Sequence, residues 1–219
     1  MSVLLLVRHG QASWGAEDYD RLSELGEQQA SVLGRALRNR GVRPDLLVHG
    51  RMTRQRETAR LLGEAAGWSD WQEDDAWDEM NHEEVLQRQH HTFAGDSPTR
   101  AEFQAWFEAA TDRWTAGRHD HEYTESFSAF GDRVLGALDG LAGRLDPSAT
   151  AVVVTSGGPI ARITAELLGG GADLHRRIAP VVVNASVTKV VVGQRGTTLV
   201  SFNDHSHLEL PSAQLTTYR

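Results

Sequence analysis

The chain has 219 residues, 40% of them hydrophobic, with no cysteine, a formal net charge of −8 at pH 7 and a pI near 5.7. That length suits one domain carrying an insertion, and the apolar share is enough for a full core. The acidic balance argues against a general nucleic-acid or membrane-surface role, which needs a concentrated basic face, and the missing cysteines exclude disulfides, thiolate catalysis and cysteine-ligated metals.

The apolar stretch Val3 to Val7 is too short for a signal-peptide core, lacks a basic flank and a cleavage site, and nothing in the chain approaches a membrane span. The chain therefore reads as soluble and cytoplasmic. Residues 3 to 7 predict a continuous apolar strand of the kind buried on both faces of a parallel sheet. The strand ends in Arg8-His9-Gly10, which places a cation and an imidazole at the carboxyl edge of the sheet, with a glycine that lets the backbone approach a ligand.

Ser23 is a candidate N-cap, and Leu25, Val32, Leu33, Ala36 and Leu37 recur at helical spacing until Gly41. A short strand follows around Leu46 to Val48, then a helix from Thr53 to Gly67. This βαβα opening predicts a right-handed, mostly parallel sheet. Ser97 and Pro98 read as N-cap and first residue of a helix lined by Phe103, Trp106, Phe107, Ala110 and Trp114. Another helix is predicted from Tyr123 to Leu145, with Phe127, Phe130, Val134, Leu138 and Leu141 facing inward.

The sheet resumes with TAVVVT, followed by a helix from Pro159 to Leu168 and two β-rich runs, SVTKVVV and TTLVSF. The expected fold is a three-layer α/β/α sandwich with a mostly parallel central sheet. It forms a single domain over residues 1–219, with a helical cap insertion at about 85–125 over the carboxyl ends of the strands. The stretch VVVTSGGPI, residues 152 to 160, has the grammar of strand, tight loop and helix start. It carries no charge, unlike the RHG loop, so it is an open question whether the two loops are halves of one site.

Taken in order, LLLVRHGQAS, DRLSELGEQQA and RMTRQRETA resemble the histidine phosphatase superfamily, the phosphoglycerate mutase-like branch 1. The resemblance is dense over residues 3 to 62 and returns at 75 to 84, 150 to 162 and 184 to 208. It implies that His9 is the histidine that becomes phosphorylated, that Arg8 and Arg54 bind the phosphoryl group, and that Gly10 and Gln11 belong to the same binding loop. Physical reasoning agrees on Arg54, which would lie in the first turn of a helix whose N–H groups favour an anion. Two guanidiniums offer bidentate contacts to a phosphoryl group. Arg51, Arg56 and Arg60 are read as ordinary solvated helix charges.

In the run DDAWDEMNHEE the resemblance assigns Glu79 as the acid that protonates the leaving alkoxide and then helps deprotonate water, with Asp78, Glu83 and Glu84 competing for the role. Family members usually end the later strand in Ser-His-Gly. Here Thr155-Ser156-Gly157 fills that register, so Ser156 replaces the second histidine, and Ser156, Gly157 and nearby N–H groups are left to hold the phosphoryl group. His82, three residues after Glu79, is a candidate replacement cation, as are His205 and His207. The pairs His90/His91 and His119/His121 lack a matching carboxylate spacing, and no metal or other cofactor is expected.

Family mutases usually carry an asparagine where this chain has Gly15 and an arginine where it has Met80, which argues against mutase activity. The expected activity is metal-independent hydrolysis of phosphomonoesters through phospho-His9, reduced by the loss of the second histidine. The alternatives are a weakened or inactive phospholigand-binding member of the family and a phosphoglycerate mutase-like phosphotransferase. The expected partner is a small phosphorylated substrate, with neither nucleic acid nor membrane, and a homodimer is left open. Trp68, Trp71, Trp77, Trp106 and Trp114 serve either as an apolar substrate surface near the insertion or as plain core.

Overall fold

The computed structural model describes residues 1–13, 19–91, 99–209 and 214–218. Strands β1 (Ser2–Arg8), β2 (Leu46–His49), β3 (Gln72–Glu73), β4 (Thr150–Thr155), β5 (Val187–Gly193) and β6 (Gly196–Asp204) form one sheet in the order β3-β2-β4-β1-β5-β6. The first four lie parallel to one another, whereas β5 runs antiparallel to β1 and β6 antiparallel to β5. The sheet is therefore mixed, and β5 alone among these strands opposes the rest. A tight hairpin closed at Gly193 and Gly196 reverses the chain from β5 to β6, and Gly196 takes a φ of 101° that a side chain would resist.

The helices are α1 (Glu24–Asn39), α2 (Thr53–Ala66), α3 (His82–Gln87), α4 (Arg100–Thr115), α5 (Phe127–Arg144), α6 (Gly157–Leu167) and α7 (Gly171–Ile178). Alternate strand residues point to opposite faces. Leu4, Leu6, Ala151 and Val153 pack with Phe130 and Val134 of α5 and Ile160 of α6. Leu5, Val7, Val152 and Val154 pack with Leu33 and Leu37 of α1 and Leu62 of α2. Both faces are buried, which is why β1 and β4 read as unbroken apolar runs. The three-layer α/β/α class is the one the sequence predicts.

Most boundaries fall where the capping chemistry puts them. The Ser23 side chain caps α1 by accepting from the Gly26 N–H, and Gly67 closes α2 at φ 79°. Two starts differ. α5 begins at Phe127 rather than Tyr123, because Ser126 caps it and residues 120–122 form a separate 3₁₀ turn. α6 begins at Gly157 rather than Pro159, so both glycines lie in its first turn. Ser97, Pro98 and Gly15 lie outside the described residues, and α4 is capped by Thr99, which exchanges hydrogen bonds with Glu102. Trp77 and Trp114 are core residues on the α5–α6 face, and Trp68 and Trp71 pack against the other face.

Among the buried histidines are His175 in α7, beside Phe127, and His207, whose Nε2 lies 3.0 Å from the Ala185 carbonyl. Burial, as the largest cause, pushes both imidazoles down from the ordinary 6.5 to about 4. Their folded-state pKa is depressed, so the stability they contribute is fully present above 6.5 and is lost as pH falls from there toward 4. The melting temperature is expected to drop across that window. Thermal unfolding of His175→Leu should show a shallower drop than the parent chain.

Candidate active site

The β1–β4 register sets Arg8 opposite Thr155, so the loops that follow begin side by side. They are joined directly, the His9 N–H donating to the Thr155 carbonyl at 2.9 Å. His9 is only 6% exposed. Its Nδ1 is 2.7 Å from the Gly10 carbonyl, which can only accept, so Nδ1 carries the proton and Nε2 presents a lone pair. That Nε2 accepts from Arg54 Nε at 3.1 Å. Burial, and then the charges of Arg54 and Arg8, hold the imidazole well below its usual pKa, which keeps it neutral into mildly acidic solution.

The glycine after it is a packing requirement. A Cβ on Gly10 would sit 2.4 Å from the Gly26 carbonyl oxygen at the start of α1, and the Gly10 N–H donates to Thr58 Oγ1 of α2. Arg54 is 4% exposed, and its Nη1 binds Asp20 Oδ1 at 2.6 Å. The other Asp20 oxygen accepts the Thr53 N–H at 2.7 Å, so one carboxylate both caps α2 and orients the arginine. Sequence reasoning did not single out Asp20, although it stands at the head of DRLSELG. Arg8 donates through Nη1 to the carbonyls of Val182 and, at 2.6 Å, Tyr218.

The uncharged loop has a physical explanation. A Cβ on Gly157 would lie 3.5 Å from Arg8 Nε, and one on Gly158 would lie 2.0 Å from Glu79 Oε1. Glu79 rests on this loop, accepting from the Gly158 N–H at 2.9 Å and the Met80 N–H at 3.1 Å. The Glu79 carboxylate rests on the loop's backbone and leaves position 158 no room for a side chain, whereas a Cβ on Gly157 would make only an ordinary contact with Arg8. Ser156 is fully buried, and its Oγ accepts from Gln55 Nε2 at 2.9 Å. Gln55 is fixed in turn, its Oε1 accepting from the Met52 N–H and its Nε2 also donating to the Trp77 carbonyl. Since the amide donates to Oγ, the serine's own hydrogen is directed elsewhere.

A cavity of about 1000 Å³ opens in front of Arg54 and Glu79, bounded by Tyr19 and Asp20, the start of α2, residues 75, 76 and 78 to 83, and α5. His9 lies behind Arg54. His82 lines the cavity with its ring edge-on to Tyr19 at 5.7 Å, and burial followed by the charge of Arg54 lowers its pKa. The other proposed histidines face elsewhere: His205 Nδ1 bonds to the Asn203 carbonyl, and His207 to Ala185. Gln11 also serves the framework, its side-chain oxygen accepting from the Ser23 hydroxyl and its N–H donating to Gln29. None of the five tryptophans considered as a substrate surface lines the cavity. Among the described residues no group of three or more His, Asp or Glu is placed to hold a metal ion.

Arg51 is exposed, as its reading as a solvated charge expects, but it does not lie on a helix. It precedes α2, lines the cavity and binds Asp78 through Nε at 3.2 Å, while its N–H donates to the same carboxylate at 2.6 Å. Arg56 and Arg60 do form surface pairs, with Glu73 and Glu64. Asp78 is buried, and that burial pushes its pKa up against the opposing pull of Arg51. Arg133 of α5 was missed. It grips Glu125 with two nitrogens at 2.7 and 2.9 Å and donates to the Ala76 and Asp78 carbonyls at 3.0 Å each. Its signal was present in the sequence: it stands three residues after Phe130 on the inward stripe of α5.

Comparison with known proteins places this geometry in context. The model of the histidine phosphatase superfamily (branch 1) matches residues 4–205. A probable phosphoglycerate mutase of Erwinia tasmaniensis is 28% identical over 220 residues, covering 95% of this chain and 96% of that protein. Among solved structures, a mycobacterial glucosyl-3-phosphoglycerate phosphatase is 26% identical, with a TM-score of 0.62 over 92% of this chain and 98% of its own. A phosphoserine phosphatase of Entamoeba histolytica, in complex with phosphoserine, shares the fold at a TM-score of 0.71 and 19% identity, covering 95% of this chain and 100% of its own.

Proposed function

Because the chain belongs to the histidine phosphatase superfamily (branch 1), we propose that it is a metal-independent phosphomonoester hydrolase acting through a phosphohistidine at His9. The observation that carries this reading is the neutral His9, with Nδ1 tied to the Gly10 carbonyl and its Nε2 lone pair turned toward the Arg54 guanidinium. A phosphoryl group bound by Arg54 and Arg8 meets that lone pair. Nε2 bonds to phosphorus as the P–O ester bond breaks, and Glu79 gives its proton to the departing alkoxide. Water then attacks the phosphohistidine, Glu79 takes the proton back, and His9 leaves as the neutral imidazole. Apolar Met80 beside Glu79 on the cavity wall supports hydrolysis over transfer to an acidic acceptor.

Rapid quenching in alkaline detergent during turnover of p-nitrophenyl phosphate tests the proposal. The expected result is a phosphoenzyme labile to acid and stable to alkali, at up to one phosphoryl group per chain. Phosphate binding with no phosphoenzyme at any pH would instead support a non-catalytic phospholigand-binding protein.

The Gln55–Ser156 contact adds a second expectation. With Ser156 fully buried at 2.9 Å from the amide, a histidine at 156 has no room while Gln55 stands there. Ser156→His alone should lower stability and turnover. Paired with Gln55→Ala, it restores a preorganised donor, and kcat is expected to exceed that of Gln55→Ala by roughly 10- to 1,000-fold. Steady-state assays of the two single variants and the double variant decide it.

A further inference from the structure

Resting on the phosphatase reading above, we propose that the substrates are phosphomonoesters whose alcohol part is neutral or cationic, and that esters bearing a carboxylate or second phosphate are turned away by the charge of the cavity. Three guanidiniums line that cavity, and each is already bound to a carboxylate of the protein. Arg51 pairs with Asp78 at 3.2 Å, Arg54 with Asp20 at 2.6 Å and Arg133 with Glu125 at 2.7 Å. The Arg133 donors are further committed to two backbone carbonyls, so this cation points into the wall rather than the cavity.

Three more lining carboxylates, Asp75, Glu79 and Glu83, have no arginine partner among the described residues. Six acids face three arginines around this space, and with Glu79 holding the proton that it gives to the leaving group the formal balance is −2 before any substrate arrives. One anion can still be held at the inner end, where Arg54 abuts His9 and Arg8 lies behind the cavity lining. A second anionic group would project outward toward Glu83 and the Glu79 carboxyl, where the Glu83 charge repels it. An ammonium or hydroxyl in the same place meets acceptors, with Met52 and Met80 supplying apolar contact.

Matched esters test this. sn-Glycerol 3-phosphate and 3-phosphoglycerate differ by a hydroxymethyl group against a carboxylate, and O-phosphoethanolamine carries an ammonium. The expected kcat/KM for glycerol 3-phosphate exceeds that for 3-phosphoglycerate by about 10-fold or more, roughly the effect of one or two like-charge contacts a few ångströms away through water. Phosphoethanolamine should equal or surpass glycerol 3-phosphate. Glu83→Gln and added salt should each narrow the gap. Calorimetry of the three esters with His9→Ala protein separates this inference from the phosphatase reading: the same ranking in affinity without turnover by the parent chain sinks the phosphatase and keeps the substrate class. Equal or tighter binding of 3-phosphoglycerate, or binding of none of the three, overturns the inference.

Discussion

Replacing His9 by alanine is expected to lower kcat toward p-nitrophenyl phosphate by roughly 10⁴- to 10⁶-fold, the scale seen when a nucleophile is removed from an otherwise intact site. The loss falls on turnover and largely spares phosphate affinity. Arg54 is still held by Asp20, and Arg8 by the carbonyls of Val182 and Tyr218, after the imidazole is gone. The truncated side chain leaves space against Arg54 Nε, and added imidazole should restore a measurable part of the rate. Parallel kinetics and phosphate calorimetry on the variant check both halves. Hydrolysis that survives the substitution would remove His9 from the mechanism.

Glu79→Gln is the second large effect, and its size should depend on the ester. The glutamine oxygen can keep accepting from the Gly158 N–H, so the loop stays in place while the transferable proton is lost. For alkyl phosphates, whose alkoxides leave only when protonated, the rate should fall about 10²- to 10⁴-fold. For p-nitrophenyl phosphate, whose leaving group is stable as an anion, formation of the phosphoenzyme should hardly change. A plot of phosphorylation rate against leaving-group pKa should therefore be steep for the variant and shallow for the parent chain. Equal slopes would move the acid to another residue, with His82 the first candidate on the cavity wall.

Much of the fold was legible because period and punctuation agree. The apolar runs of β1 and β4 follow from burial on both faces, and Ser23 and Gly67 mark helix ends by their own chemistry. What stayed hidden depends on distance in sequence. Nothing local in RMTRQRE says that Gln55 will reach Ser156, 101 residues on, or that Arg51 will find Asp78. The opposed direction of β5 follows from where β1 lies in the sheet, which no local pattern reports. His9, Arg54 and Glu79 could be named as candidates because motif order carried them, and His82 because it stands three residues after Glu79. Asp20 was visible only as one letter of a string, until the Thr53 N–H and the Arg54 guanidinium were seen to share its carboxylate.

The loop that runs from Ser156 to Gly158 also sets which mutations a lineage can accept. Position 156 can drift, because its side chain answers to one neighbouring amide and a compensating change at Gln55 can follow. Position 158 cannot, because any side chain there strikes the carboxylate that the backbone N–H supports. Selection that preserves Glu79 therefore acts as strongly on a residue 79 positions away that takes no part in chemistry. In descendants that had lost the acid, Gly158 would be among the first positions released to vary.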